Sequence, residues 1–205
     1  MDKEATMRKD ILQGMFDNGL LGVEVDQEHG GAGGSFMSSC LVVEEIAKID
    51  GSVAVLCDIQ NTLCNNLLKF WASKELQDEW LPRVATDTIA SFCLSEEGSG
   101  SDAFAMKTSA KLSADGSEYV LNGQKMWISN AEHAGVFFVF ANADESKGYK
   151  GITCFVVPKD TEGLSLGAPE DKLGLRASST CSVRFRPMAR EAWERVWGGR
   201  VWGWG

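Results

Sequence analysis

The sequence is poor in basic residues, and this deficit excludes two classes of partner. Its 20 lysines and arginines stand against 29 aspartates and glutamates, which gives a formal net charge of −9. A chain of this charge repels polyphosphates and anionic lipid surfaces, so we expect no nonspecific binding to nucleic acid or to membranes. The sequence also lacks an apolar run of about 18 residues, so we predict no membrane-spanning helix.

Histidine is scarce, and the motifs of several catalytic classes are missing. His29 and His133 lie far apart without metal-ligand spacing, so we predict no metal site. The chain has no Gly-Lys-Ser/Thr ending of a phosphate-binding loop. Because it also has no Cys-x-x-Cys pair, we interpret its six cysteines as reduced core residues of an intracellular protein.

The N-terminus lacks the features of two common targeting signals. Its first residues, Met1 to Glu4, are charged and polar, unlike a secretory signal or an arginine-rich transit peptide. We therefore expect either a cytosolic protein or a chain without its targeting segment.

The first 90 residues have the apolar spacing of helices. Apolar residues between Met7 and Phe16 recur three and four positions apart, as on one face of a helix. A second helix is predicted over residues 38–50. The run 52–68 is apolar nearly all round, which predicts a helix buried among others. We predict an N-terminal all-α domain over residues 1–90.

From Ile89 onward the apolar period falls from about 3.6 to about 2 residues, which indicates β-strands. Short apolar runs lie at residues 90–94, 136–141, 152–157 and 180–185. The pair Asn122-Gly123 between two alternating segments predicts a hairpin with a type I′ turn. We predict an all-β, barrel-like middle domain over residues 91–187, so the fold class is α+β.

Residues 188–205 change in character and form a third segment. Four tryptophans are interleaved with glycines and arginines there. Trp193, Trp197 and Val201 could share one face of a helix, but two adjacent glycines would weaken it by about 1 kcal/mol each. We interpret the segment as an irregular tail that arises from a splice variant, a frameshift or a mispredicted gene end. A genuine helix or a peptide anchor is the alternative.

Two polar clusters are candidate sites. The first, Ser95 to Asp102, is rich in glycine and serine, so backbone N–H groups can approach a ligand closely. The second, Trp127-Ile128-Ser129-Asn130, offers a flat ring beside a hydroxyl. On composition alone, a surface loop and a core tryptophan with a turn serine are the commoner interpretations. Glu96, Glu97 and Asp102 are candidate acid–base groups, although carboxylates in such loops are usually solvated.

An ordered set of motifs resembles the acyl-CoA dehydrogenase family. The motifs are Gly19 to Val25, Gly30 to Ser35, Glu44 to Ala47, Phe92 to Asp102, Lys125 to Asn130 and Lys172 to Thr180. The resemblance covers residues 7–185. The segments Phe92 to Glu96 and Tyr149 to Thr153 are most similar to members that act on short and 2-methyl-branched acyl-CoA.

The resemblance implies a helical N-terminal domain and a β-barrel-like middle domain along which FAD lies. It implies that the cofactor-binding residues are Phe92, Cys93, Leu94, Ser95, Gly100, Ser101, Trp127, Ile128 and Ser129. By the same resemblance, Ser95 hydrogen-bonds the pyrimidine side of the flavin, Trp127 packs on the isoalloxazine and Ser129 approaches N5. Ser101 also touches the acyl-CoA substrate, and Tyr149 lies near the CoA chain.

The family reaction converts an acyl-CoA to a trans-enoyl-CoA, in fatty acid metabolism and branched-chain amino acid catabolism. The resemblance implies electron-transferring flavoprotein as electron acceptor, a homotetramer and the mitochondrial matrix. In most members the base is a Glu of a C-terminal helical bundle, and the family pattern is not matched after Phe185. We therefore assign no catalytic residue and expect a catalytically incomplete chain.

Two other functions stay open. One is a non-catalytic fragment that binds flavin or CoA weakly or associates with full-length subunits. The other is an acyl-CoA oxidase or a relative of nitroalkane oxidase.

Overall fold

The computed structural model describes residues 1–114, 116 and 118–188. The predicted tail, from residue 189 onward, lies outside the described residues.

The N-terminal part of the chain is helical, as predicted. Its α-helices are α1 (Lys9–Asp17), α2 (Phe36–Ala47), α3 (Gly51–Asp58), α4 (Asn66–Trp71) and α5 (Lys74–Thr86). A π-helical segment, Ile59–Asn65, joins α3 to α4. The helices predicted over residues 38–50 and 52–68 correspond to α2 and to this continuous α3–π–α4 segment. Short 3-10 segments lie at Gln27–His29, Ala103–Ala105 and Glu145–Gly151.

Side-chain caps determine where several helices begin. The Ser35 hydroxyl accepts a hydrogen bond from the Ser38 N–H, and the Ser38 hydroxyl accepts one from the Ser35 N–H, which completes a capping box for α2. The Asp50 carboxylate accepts from two N–H groups in the first turn of α3, and Ser73 caps α5. These bonds satisfy backbone donors that a helix leaves unpaired at its N-terminus.

The π-helical segment lies between the helices and the sheet, where its buried Gln60 pairs three backbone groups. The Gln60 amide nitrogen donates to Val84 O at 2.8 Å and to Thr88 O at 3.0 Å. Its amide oxygen accepts the Ala90 N–H at 2.8 Å. One side chain therefore fixes the connection from α5 into the first strand.

A second pair of amides from the same segment holds the loop before α2. Asn61 donates to Leu20 O at 2.8 Å and accepts the Val23 N–H at 2.9 Å. Asn65 donates to Leu21 O at 2.7 Å. All three amides are buried, so each replaces water as the partner of a backbone group.

The C-terminal part of the described chain is one seven-stranded, curled sheet. Its strands are β1 (Ala90–Cys93), β2 (Ser109–Leu112), β3 (Tyr119–Ser129), β4 (Val136–Asn142), β5 (Ile152–Pro158), β6 (Leu164–Leu166) and β7 (Thr180–Met188). The order is β1-β4-β2-β3-β7-β6, with β5 antiparallel to β4. β1 is parallel to β4, whereas β3 is antiparallel to both β2 and β7.

The two long apolar strands β4 and β5 are buried on both faces. Phe137, Val139 and Phe155 belong to the core inside the sheet. Phe138 and Val156 alternate with them and pack against residues of α4 and α5. This two-sided burial explains why these strands are nearly continuous apolar runs rather than alternating ones.

The predicted hairpin at Asn122-Gly123 is wrong. β3 runs through both residues, and the hairpin lies earlier, between β2 and β3, where the Ser113 N–H donates to Glu118 O at 2.8 Å. A Cβ on Gly123 would lie 2.4 Å from the Thr108 hydroxyl oxygen. The glycine therefore allows β3 to lie close to Thr108, directly before β2, and forms no turn.

We expect Gln60→Leu to lower the free energy of unfolding by about 3 kcal/mol, because it leaves buried backbone groups without partners. The control is Gln13→Leu on the exposed surface of α1, for which we expect a change below about 0.5 kcal/mol. Urea unfolding of both variants measures the difference. Equal unfolding midpoints for the two variants would contradict a joining role for Gln60.

Candidate functional site

The two polar clusters meet where β1 ends beside the end of β3. The Met126 N–H donates to Ser95 O at 2.8 Å, and the Ser91 hydroxyl donates to Ser129 O at 2.9 Å. We call this region, residues 91–95 and 126–129, the β1–β3 junction. Segments that are distant in sequence are therefore hydrogen-bonded neighbours in the fold.

Trp127 has an unusual backbone in the junction. Between Lys125 and Ile128, β3 contains one residue more than the paired stretch of β7, which makes a bulge. Trp127 has φ of 59°, in the left-handed region, and its side chain is 58% exposed. Such a backbone costs a non-glycine residue about 1–2 kcal/mol. Strain together with an exposed aromatic ring is typical of a functional position.

Two serine hydroxyls of the junction, those of Ser95 and Ser129, are available to a ligand. Ser95 and Ser129 are half-buried, and their hydroxyls make no hydrogen bond to other described residues. Phe92 and Leu94 are also half-buried, while Gly100 and Ser101 are exposed. All of them therefore keep some accessible surface.

Two of the predicted site residues point their side chains into the core. Cys93 is fully buried and Ile128 is 2% exposed, both within the core inside the sheet. Burial raises the pKa of the Cys93 thiol far above its usual range. A ligand at the junction can therefore contact these two residues only through backbone atoms.

Tyr149 lies beside an aromatic residue that the sequence analysis missed. The rings of Tyr149 and Phe104 have centroids 5.2 Å apart, and both side chains are about half exposed or more. Phe104 lies in the short 3-10 segment Ala103–Ala105, three residues after Ser101. It therefore connects the glycine- and serine-rich loop with Tyr149. The signal in the sequence was a lone aromatic residue directly after that polar run.

The expectation that all three loop carboxylates are solvated is wrong for Glu96. Glu96 is 9% exposed and forms an ion pair with the fully buried Lys125, with Nζ 2.7 Å from Oε1. Glu97 and Asp102 are exposed, as expected. The sequence analysis missed this pair because Lys125 lies in an alternating strand, where lysine normally faces solvent.

The environment of the pair keeps Glu96 ionised. Burial alone would raise the pKa of Glu96, but hydrogen bonds from Lys125, Thr108 and Lys107 together outweigh it and hold the pKa below its usual value. Burial lowers the pKa of Lys125, and the Glu96 carboxylate opposes that shift. A carboxylate held in this way cannot act as a free general base.

Neither a metal cluster nor a membrane helix is found in the described ranges. Within residues 1–114, 116 and 118–188, no three His, Cys, Asp or Glu side chains are grouped so as to hold a metal ion. No helix in the same ranges is both long and apolar enough to cross a bilayer.

Comparison with protein-family models identifies the chain's relatives. The model of the acyl-CoA dehydrogenase N-terminal domain matches residues 1–88, and that of the acyl-CoA dehydrogenase middle domain matches residues 91–188. The chain belongs to the acyl-CoA dehydrogenase family. Its homologues are oxidoreductases. The predicted family is confirmed, and so is the predicted α+β fold of a helical part followed by an all-β, barrel-like part, which the structure shows as a curled sheet.

Similar acyl-CoA dehydrogenases are longer than this chain. The mitochondrial short/branched chain specific acyl-CoA dehydrogenase of Bos taurus is 56% identical over 185 residues, which are 90% of this chain and 42% of that protein. Butyryl-CoA dehydrogenase from Megasphaera elsdenii superposes with a TM-score of 0.91 at 31% identity, covering 96% of this chain and 52% of that one.

A second solved acyl-CoA dehydrogenase contains the reduced cofactor. Glutaryl-CoA dehydrogenase from Mycobacterium smegmatis in complex with FADH2 superposes with a TM-score of 0.86 at 33% identity, covering 95% of this chain and 49% of that one. This chain therefore spans about half the length of the relatives it matches.

We expect Trp127→Gly to change the free energy of unfolding by less than about 1 kcal/mol, because relief of the positive φ offsets the flexibility of glycine. Trp80→Gly is the control, because Trp80 is 3% exposed within α5 and its loss should cost more than about 3 kcal/mol. Chemical denaturation compares the two variants. A loss at Trp127 as large as at Trp80 would mean that Trp127 is a packing residue.

Proposed function

We propose that this chain forms the FAD-binding part of an acyl-CoA dehydrogenase that converts short or 2-methyl-branched acyl-CoA to trans-enoyl-CoA. The observation that carries the proposal is the β1–β3 junction, where the strained, exposed Trp127 neighbours the available hydroxyls of Ser95 and Ser129. A flat aromatic ring beside hydroxyl groups suits a planar heterocycle with polar edges.

The glycines of the loop also fit a large ligand. A Cβ on Gly98 or on Gly100 would meet no protein atom within 4 Å, and neither residue has a positive φ. Neither packing nor backbone conformation within the described chain therefore requires glycine at these positions. The space beside both residues is open to a ligand that approaches the backbone closely.

The proposed roles follow the chemistry of each residue. When bound, FAD supplies the redox chemistry of the dehydrogenation. We assign to Trp127 the stacking surface for the isoalloxazine, to Ser95 a hydrogen bond to its pyrimidine side and to Ser129 a polar contact near N5. Phe92, Leu94, Gly100 and Ser101 line the same site. Cys93 and Ile128 contribute backbone atoms only.

The acyl-CoA substrate is assigned to the adjoining surface. Ser101 is exposed, and the neighbouring ring pair of Phe104 and Tyr149 offers an apolar contact for the CoA chain. We assign no catalytic base to the described residues. Glu96 is committed to Lys125, and the exposed Glu97 and Asp102 lack the desolvation that would make a carboxylate a strong base.

The finer parts of the proposal rest on the family. The 56% identity to the bovine short/branched chain enzyme supports a short or branched acyl group, and the mitochondrial name of that enzyme supports the mitochondrial matrix. Electron-transferring flavoprotein as acceptor and a homotetrameric assembly complete the proposal. We divide the chain into an all-α domain over residues 1–90 and a flavin-binding β-domain over residues 91–187.

A second function, association with other subunits without catalysis, is favoured by exposed apolar side chains. These lie on α2, on α4 and in the segment before β7: Phe36, Met37, Leu41, Phe70, Trp71 and Leu173. A monomer gains nothing from exposing such residues, whereas a subunit contact would bury them.

Titration of the purified chain with FAD tests the proposed function. We expect FAD fluorescence to be quenched on binding, and we expect Trp127→Ala to weaken the affinity about tenfold through loss of stacking. The matched control is Trp71→Ala, because Trp71 is also about half exposed but lies on α4. Fluorescence titration and ultrafiltration give the affinities.

Two outcomes would contradict FAD binding at the junction. One is that the chain leaves FAD fluorescence unchanged at every protein concentration. The other is that Trp127→Ala and Trp71→Ala bind FAD equally well.

A further inference from the structure

We propose that the buried pair of Glu96 and Lys125 is a positioning device that holds the Gly/Ser loop, residues 94–108, against β3 in the geometry that FAD binding requires. The inference rests on the proposed function, because it concerns the same proposed FAD site. Neither residue is assigned a catalytic role, since both are buried and would act through the loop.

The pair fixes both ends of the loop at once. Lys125 Nζ donates to Leu94 O at 3.0 Å, where the loop leaves β1. The Glu96 carboxylate accepts the Lys107 N–H at 2.6 Å and the Thr108 N–H at 3.0 Å, where the loop enters β2. A single ion pair therefore sets the positions at which the loop begins and ends.

The same pair connects the loop to the strained tryptophan. Lys125 precedes the bulge of β3, and Trp127 is the residue two positions later. The Met126 N–H between them donates to Ser95 O, next to Glu96. Displacement of Lys125 would therefore disturb the backbone of both Ser95 and Trp127.

The loop has few other means of holding its shape. Between β1 and β2 it contains only the short segment Ala103–Ala105, and it is closed internally by paired backbone bonds between Glu96 and Ser99. Gly98, Gly100 and Ser101 are exposed, whereas Ser99 is buried and its hydroxyl donates to Asp102 O at 2.9 Å. Met106 is the only apolar side chain buried among residues 97–107, so the Glu96 carboxylate is a principal anchor of the loop at Lys107 and Thr108.

The energetics of buried charges distinguish two possible roles of the ion pair, positioning of the loop and stabilisation of the fold. Burying two charges carries a desolvation cost, and replacing such a pair with neutral groups of similar size is often neutral or stabilising. A pair kept for stability alone would therefore be dispensable. A pair that also binds three backbone groups of a ligand-facing loop selects one loop conformation, which its neutral replacement would not.

The first test measures loop order without FAD. In Glu96→Gln a neutral amide replaces the carboxylate, so hydrogen exchange at the Lys107 and Thr108 amides should become at least about tenfold faster. The control variant is Leu76→Ala, which removes a buried side chain of α5 and destabilises the chain away from the loop. Unchanged exchange at Lys107 and Thr108 in Glu96→Gln would overturn the proposal.

The second test uses the double variant Glu96→Gln/Lys125→Met, which contains no unpaired buried charge and so keeps the chain folded if the single variants unfold. We expect it to unfold at a similar urea concentration to the unsubstituted chain but to bind FAD about tenfold more weakly. Leu76→Ala should show the opposite pattern, with lower stability and unchanged FAD affinity. FAD affinity that follows overall stability across all variants would overturn the positioning role.

The two proposals fail in different ways. If the unsubstituted chain does not bind FAD, the proposed function fails, while hydrogen exchange still decides whether the pair orders the loop. If the unsubstituted chain and the double variant bind FAD equally, the proposed function stands and the positioning role is excluded.

Discussion

Buried backbone groups must be hydrogen-bonded, and this constraint determines how the helices of the chain are joined to its sheet. The connection from α5 to β1 enters the interior at Ile89 and Ala90, where water cannot pair backbone N–H and C=O groups. The Gln60 amide provides their partners. Asn61 and Asn65 do the same for the loop before α2. The π-helical segment presents these amides to two different loops. The apolar cluster that includes Val84, Phe138 and Val156 packs between the same helices and the sheet.

The β1–β3 junction meets the same constraint with charged groups. Lys125 and Glu96 pair the backbone at the beginning and end of the Gly/Ser loop inside the fold. The backbone groups at both ends of the loop are thereby paired by protein, while Trp127, Gly98, Gly100 and Ser101 are exposed. The ion pair and the bulge at Trp127 thus belong to one arrangement, in which hydrogen-bonded interior groups support the exposed candidate site. Such support is what a large planar cofactor would need from a loop without regular structure.

Much of the fold could be predicted because apolar periodicity reports burial directly. The run 52–68 predicted a buried helix, and the runs that became β4 and β5 predicted strands, since both kinds of segment are apolar on every side. The hairpin prediction failed at Asn122-Gly123, because the requirement for glycine came from Thr108, which lies elsewhere in the chain, directly before β2. Glu96 was misjudged for a similar reason, since its burial depends on a lysine that lies far along the chain. Phe104 also escaped notice because its partner, Tyr149, is distant in sequence.

The sequence by itself determined the class of fold, the family and the two segments that carry the candidate site. These depend on local periods and on short motifs, which are complete within a few neighbouring residues. The resemblance implied that the two segments contact one flavin. Only the tertiary structure decided how they meet, that Trp127 is strained and exposed, and that Glu96 is a buried partner of Lys125. Those features arise from pairing between distant strands, and the register and bulges of such pairing are not encoded in any local pattern.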